Sequence, residues 1–274
     1  MRKSNNSRNL RGKALIKYKK SLKLTDLQRE VLVGTLLGDA SMPWKRDKPT
    51  YHIKFEQQIR QREYIQHLYE IFEPFVGTPP KIRNITGATN RQSIWFRTYS
   101  HPTFKFYSDN FYRIVQNRRT KCVPKNIHRM LTPRALAYWF MDDGTLSGQD
   151  YLFSTQNFSL SDQKILQRGM LKNFDIQINI HKDNPLGLEW QPDLQGHPTR
   201  ATFWFLPKGR QLHTSIPTPR KCCNPSSIPS FIPLGGSNPY YRLYVLSNSE
   251  ASLMKLIKPY IHPVFEYKIK AKCM

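Results

Sequence analysis

The chain has 274 residues, 39% apolar and 12% aromatic, enough to build a packed core and too many for a globally disordered protein. Its 43 Lys and Arg against 19 Asp and Glu leave a formal charge of +24, which repels itself unless a polyanion offsets it, and nucleic acid is the natural candidate. An anionic membrane fits less well, because the charge is spread along the whole chain, no apolar run reaches the length of a membrane span, and the polar, basic N-terminus carries no signal-peptide pattern.

Residues 1–24 contain nine Lys and Arg and no acid. They read as a disordered arm, as an arm that follows a DNA backbone and orders on binding, or as a transit peptide without a clear amphipathic stripe. Thr25-Asp26-Leu27-Gln28 is a capping box, and the apolar residues behind it (Leu32, Val33, Leu36, Leu37) predict a helix that closes at Asp39. Gly34 and Gly38 leave a flat stripe along it where a second helix can approach closely.

Strands are predicted at Thr50–Phe55, Lys81–Ile85 and Ser93–Thr98, the last two joined by a turn over Thr86–Asn90. Helices are predicted at 62–73 and near 102–114. Thr132 and Pro133 start a second strong helix, whose apolar body ends at Asp142-Asp143-Gly144 with Gly144 placed to stop it. Beyond it come a strand at Tyr151–Thr155, a helix near 161–173, strands at Ile176–Ile180, Thr202–Leu206 and Tyr241–Leu246, and a helix opened by the box Ser247–Glu250 that ends near Lys258. Residues 183–239 hold ten of the twenty prolines and read as an insertion of long loops. Its Arg200, Trp204, Lys208, Arg210, Arg220 and Lys221 either extend a DNA-binding surface or form a solvated local cluster. Cys122, Cys222, Cys223 and Cys273 have no zinc-site spacing, and the adjacent pair is poorly placed for a mutual disulfide; they read as reduced intracellular thiols.

The two motif helices repeat one phrase. Leu-Val-Gly-Thr-Leu-Leu-Gly-Asp-Ala at 32–40 lies over Leu-Ala-Tyr-Trp-Phe-Met-Asp-Asp-Gly at 136–144, so that Asp39 matches Asp143. An acid at a helix C-terminus opposes the macrodipole, and two at the same point of a repeat call for a cation such as Mg²⁺. Asp142 points about 100° away on an ideal helix and reads as a supporting group or a cap. Phe140-Met141-Asp142-Asp143 also resembles the acidic box of polymerases, but that box lies on a strand turn and not at the end of a Pro-initiated helix.

The paired nonapeptides resemble the motifs of LAGLIDADG homing endonucleases of the single-chain, two-motif, intron-encoded kind, and the likeness runs from about Thr25 to Lys270. Ala40 replaces the final glycine in the first copy, and Tyr138 and Trp139 depart from the archetypal small residues. The resemblance implies an α+β fold of two tandem αββαββα units about a pseudo-twofold axis, with the motif helices at the interface and two antiparallel sheets forming a DNA-binding saddle. It implies a basic arm at 1–24, a first half at 25–128, and a second half at 129–274 carrying the insertion at 183–239. Candidate base readers in the first half are His52, Lys54, Arg83, Arg91, Gln92 and Arg97.

Family roles carry over to Asp39 and Asp143 as metal-binding acids, to Lys121 and Lys268 as basic residues beside the two half-sites, and to Gln156 as a polar site residue. The first-half counterpart of Gln156 is either Lys54 or Gln57. The activity implied is Mg²⁺-dependent hydrolysis of both strands of a long asymmetric DNA site, with Mn²⁺ as a possible substitute, by a monomer with internal pseudo-symmetry. The compartment implied is an organelle, mitochondrion or chloroplast. An RNA-splicing maturase that binds intron RNA without cutting DNA is the alternative, and a transcription factor on the same fold a remoter one. The presence of both acids and both lysines favours the enzyme, since a pure binder does not need the set.

Overall fold

Thr25 caps the first motif helix as its sequence predicts. In the computed structural model, which describes residues 10–44, 50–85, 91–147, 150–183 and 240–269, its hydroxyl accepts the Gln28 amide at 3.2 Å. The Gln28 side chain returns a bond to the Thr25 amide at 3.0 Å, completing the box. Described residues up to His181 and from Tyr241 onward form one compact unit, and Lys182–Tyr240 separates as a second. The insertion, with its predicted strand and its basic and aromatic residues, lies outside the described residues. So do the Thr86–Asn90 turn, Cys222, Cys223, Cys273 and residues 1–9.

Helix α1 (Gly12–Ser21) corrects the reading of the arm as disordered over its described part. The Tyr18 hydroxyl donates to the Pro74 carbonyl at 3.0 Å, and His101 Nε2 meets the Lys19 carbonyl at 2.8 Å. The first half continues as α2 (Asp26–Leu37), β1 (Lys54–Gln58), α3 (Arg62–Phe72), β2 (Lys81–Asn84), β3 (Gln92–Arg97) and α4 (Lys105–Phe111). A hairpin, β4 (Tyr112–Val115) and β5 (Arg118–Lys121), then leads to α5 (Pro133–Asp143). The second half adds β6 (Gly144–Ser147), β7 (Asp150–Phe153), α6 (Leu160–Phe174), β8 (Ile178–Asp183), β9 (Tyr240–Val245) and α7 (Ser247–Ile257).

The halves share one topology. The second sheet has the order β6-β7-β9-β8. The first has the order β1-β3-β2, and an isolated bridge between Ser41 and Lys54 stands where β6 stands in the other half. Helix, two strands, helix, two strands, helix is thus the plan of both, although the first strand of the first half is reduced to that bridge.

Several boundaries differ from expectation. The strand predicted at 50–55 begins at Lys54, and the helix predicted over 102–114 gives way at Tyr112 to a hairpin whose turn residues, Gln116 and Asn117, have φ of 48° and 59°. Helix α7 starts at Ser247 with Leu246 as its cap and no side-chain cap bond; Ser249 Oγ instead accepts the Gln177 amide at 3.0 Å. The predicted box of that helix does not form.

The motif helices α2 and α5 cross at the centre of the core, with Leu32, Leu36, Leu136 and Phe140 fully buried. A Cβ on Gly34 would overlap the Ala135 carbonyl oxygen and stand 2.8 Å from Tyr138 Cβ; one on Gly38 would overlap the Asp142 side chain. The small residues therefore set how closely the helices approach. Gly144 does not stop α5 through a left-handed turn, as φ is −74°; glycine is needed because the Phe140 ring and carbonyl lie against it.

Candidate active site at the motif-helix ends

Helix α5 runs through Asp143, whereas α2 stops at Leu37 and leaves Asp39 two residues beyond its end. The matched acids therefore reach the site by different routes, correcting the expectation that both helices close on their acid. Asp142 Oδ2 accepts the Asp39 amide at 3.1 Å. Gln57 Nε2 donates both to Asp39 Oδ2 at 2.9 Å and to Asp142 Oδ1 at 3.2 Å. Two carboxylates, Asp39 from the first half and Asp142 from the second, meet around one side-chain amide.

Both candidate lysines lie against these helix ends. Lys121, at the base of the β4–β5 hairpin, donates through Nζ to the Gly38 carbonyl at 2.7 Å and to the Ala40 carbonyl at 2.8 Å. Lys268, buried in the turn Pro263–Lys268 after α7, donates to the Met141 carbonyl at 2.6 Å. Lys268 thus sits on a carbonyl of the last turn of α5, and Lys121 on the carbonyls just past the end of α2, where the macrodipoles favour a cation. The hairpin that carries Lys121 is braced by Arg119. Its guanidinium stacks 3.8 Å over the Tyr112 ring and donates to Ser108 Oγ at 2.8 Å and to the Met42 carbonyl.

The electrostatics follow from crowding acids in a half-buried place. Burial first, and Asp39 next, raise the Asp143 carboxyl to about 7, although Lys121 and Lys268 pull it down. Burial and Asp39 likewise push Asp142 well above the usual carboxylate range, against the bond it receives from the Asp39 amide. Burial lowers Lys121, and the attraction of Asp143, Asp39 and Asp142 opposes that shift. Asp39, Asp143, Lys121 and Lys268 are therefore close enough to act on each other's charge.

Gln156 is not brought into that group. It lies half-buried in the turn after β7, and among the described residues no hydrogen bond joins it to the acids. Strand register gives the reason. Ser41 pairs with Lys54 in one half and Gly144 with Phe153 in the other, so Phe55 lies over Phe153 and Gln57 over Thr155. Thr155 turns inward to Gln163 Oε1 at 3.1 Å, and Gln156 matches the exposed Gln58. Of the two first-half alternatives, Gln57 reaches the acids, while Lys54 lies on the other face of the sheet and pairs with Glu56. Asp142, read from the sequence as a supporting group or a cap, has that place, in the space that Gly38 leaves on the facing helix.

The first sheet has one polar face. Register places Lys54, Glu56 and Gln58 beside Arg97, Trp95 and Ser93, with Lys81 and Arg83 next along. Gln92 pairs with Asn84 on the opposite face, at 3.0 Å between side chains, and so does not share the polar face with Lys54, Arg83 and Arg97. Glu56 sits in the middle of the polar face, bound to Lys54, to Arg83 Nη2 at 2.6 Å and to Ser93 Oγ at 2.6 Å.

Residues 29–187 match the model of the LAGLIDADG DNA endonuclease family. The chain is 29% identical over 172 residues to the DNA endonuclease I-ChuI of Chlamydomonas applanata, covering 59% of this chain and 79% of that protein. It is 26% identical over 245 residues to the cytochrome b mRNA maturase bI2 of Debaryomyces hansenii, covering 88% of this chain and 72% of that one. Its fold matches the solved structure of the homing endonuclease I-WcaI bound to its DNA recognition sequence, with a TM-score of 0.69 at 19% identity over 97% of this chain and 99% of the other. With the family model matched over more than half of its length, and with paired motif helices that carry their acids to one place, the chain belongs to the LAGLIDADG DNA endonuclease family.

Proposed function

We propose that this protein is a site-specific endonuclease that cuts both strands of a long asymmetric DNA site with a divalent cation. The observation that carries the reading is the convergence of Asp39, Asp143, Lys121 and Lys268 on the ends of the two motif helices. Two unlike halves in one chain favour a non-palindromic target, because nothing imposes symmetry on the bases read.

Among the described residues no cluster of three or more His, Cys, Asp or Glu forms a complete metal cage. The residues present nonetheless fit a hard cation that takes part of its coordination from phosphate and water. Asp143 is raised to about 7 by burial and by Asp39, and a cation held by the two acids would relieve that repulsion. Asp39 and Asp143 would hold Mg²⁺, or Mn²⁺ in its place, and the ion would supply an activated water and charge neutralisation at the scissile phosphate. Gln57 fixes the Asp39 carboxylate, and Lys121 and Lys268 hold positive charge where negative charge grows in the transition state. The polar face of the first sheet supplies DNA contacts.

The relatives named as intron-encoded endonucleases and as a maturase support an origin in an organellar intron, and we place the protein in that compartment, acting as a monomer. The maturase reading is kept because the bI2 relative aligns over 88% of this chain.

The deciding experiment is cleavage of a pooled organellar and random-sequence DNA library in Mg²⁺, with every new end mapped and Asp39→Asn and Asp143→Asn run in parallel. A recurrent site cut by the parent and spared by both variants, which still bind it, is the expected result. Binding without cuts in Mg²⁺ and in Mn²⁺ would overturn the nuclease reading and make intron RNA the ligand to test.

A further inference from the structure

The end of α2 is irregular in a way that isolates one acid. The Ala40 amide donates to the Thr35 carbonyl at 2.9 Å, five residues back, so the last turn widens and passes over the Asp39 amide. That amide is left without a helix carbonyl, on a residue that is itself exposed. Asp142, from the other half, is the partner at 3.1 Å. Its second oxygen accepts Gln57, and the same Gln57 nitrogen holds Asp39 Oδ2. Asp142 therefore fixes Asp39 twice, through the backbone directly and through the carboxylate by way of Gln57.

Among the described residues, no carboxylate of the first half is bonded to Asp143 in this way. The position that matches Asp142 in the first motif is Gly38, which has no side chain, and Asp143 is held inside α5, with its carbonyl accepting the Ser154 amide at 2.9 Å. The support of the two acids is unequal by construction.

We propose that Asp142 is a positioning residue for the first half-site alone: it sets Asp39 and leaves Asp143 unaffected, so that its loss uncouples the two strand cuts. This inference rests on the nuclease reading above. Without Asp142 the Asp39 turn loses its anchor and the acid samples geometries in which it does not reach the phosphate, whereas the second half-site keeps its helix.

The test uses the full chain and the site recovered from the library, carried on a supercoiled plasmid with each strand followed separately. Asp142→Ala is expected to slow one strand at least about tenfold more than the other, the size expected for losing about one such hydrogen bond, so that nicked circle accumulates. Asp142→Asn keeps an oxygen for the Asp39 amide and is expected to restore most of the balance. Equal slowing of both strands, or no change, would overturn the proposal. Amide hydrogen exchange of the metal-free protein supplies a second readout that does not depend on cleavage. Asp39 should lose protection in Asp142→Ala while Asp143 keeps it; equal loss at both would indicate a general structural role. If the parent cuts no DNA, the nuclease reading fails, and the exchange experiment still decides whether Asp142 holds Asp39.

Discussion

Gly34 lies against Tyr138, and the two occupy the same position of their respective motifs. At a pseudo-twofold interface equivalent residues face each other, and here one copy gives up its side chain so that the other can have a large one. The Tyr138 ring uses the space to reach His67, with 2.6 Å between its hydroxyl and Nε2. Gly38 and Asp142 repeat the arrangement one turn further on, with a carboxylate in place of the ring.

Gly34→Ala should accordingly destabilise the fold by about 1–3 kcal/mol, the range for overpacking a tight core. The obstacle is the Ala135 backbone carbonyl, which cannot rotate away as a side chain can. Urea unfolding followed by circular dichroism measures the loss, and a change below about 0.5 kcal/mol would mean that the helices part more easily than their packing indicates.

A second expectation concerns pH. Asp143 titrates near 7 in the folded chain and in the ordinary carboxylate range when unfolded. Between those values the folded state holds a proton that the unfolded state has released, so this group's contribution is full at low pH and is lost as pH rises through about 7. The metal-free protein should lose a few kcal/mol across that window through this carboxyl. Asp143→Asn should remove that slope, and Mg²⁺ should remove it in the parent by favouring the ionised acid. Unfolding at pH 5 and pH 8, in chelator and in Mg²⁺, distinguishes the cases; identical profiles in both would argue against a cation at Asp143.

Glu56 sets up the third. Burial by itself would raise its carboxyl, but the bonds from Lys54 and Ser93 and the charges of Lys54 and Arg83 hold it below the usual range. It pairs with two cations on the face expected to meet DNA. Glu56→Gln should free them for phosphates and steepen the salt dependence of non-specific DNA binding by up to about 2 in the log–log slope. Fluorescence anisotropy over a salt series reads the slope directly, and an unchanged value would place Lys54 and Arg83 away from the backbone.

How far these features were legible in the residues depends on what each rests upon. The capped starts of α2 and α5 and the close approach at Gly34 are local, and local chemistry predicts them. The plan of the halves, and the places of Asp39, Asp143, Lys121 and Lys268, came from a motif repeated at domain spacing and from the family it resembles. The supporting role of Asp142 was legible, but the acid it supports was not, because that depends on a gap in another helix. The β4–β5 hairpin was hidden because Phe111, Tyr112 and Ile114 continue the apolar spacing of α4, and only Gln116 and Asn117 in left-handed conformation turn the chain back. Gln156 illustrates the sensitivity of strands to register, since one residue of offset moves a side chain to the other face.

The glycine-to-side-chain complementarity at the motif interface also decides which halves can pair. Two copies of the second half would set Tyr138 against Tyr138 and Asp142 against Asp142, a steric clash followed by a buried like-charge contact. Two copies of the first would leave an empty groove between Gly34 and Gly38 of both helices. If the chain were divided between α4 and α5, each fragment would find its fit only in the other, and neither could assemble with itself. The interface thus discriminates against symmetric assemblies as well as holding the asymmetric one together.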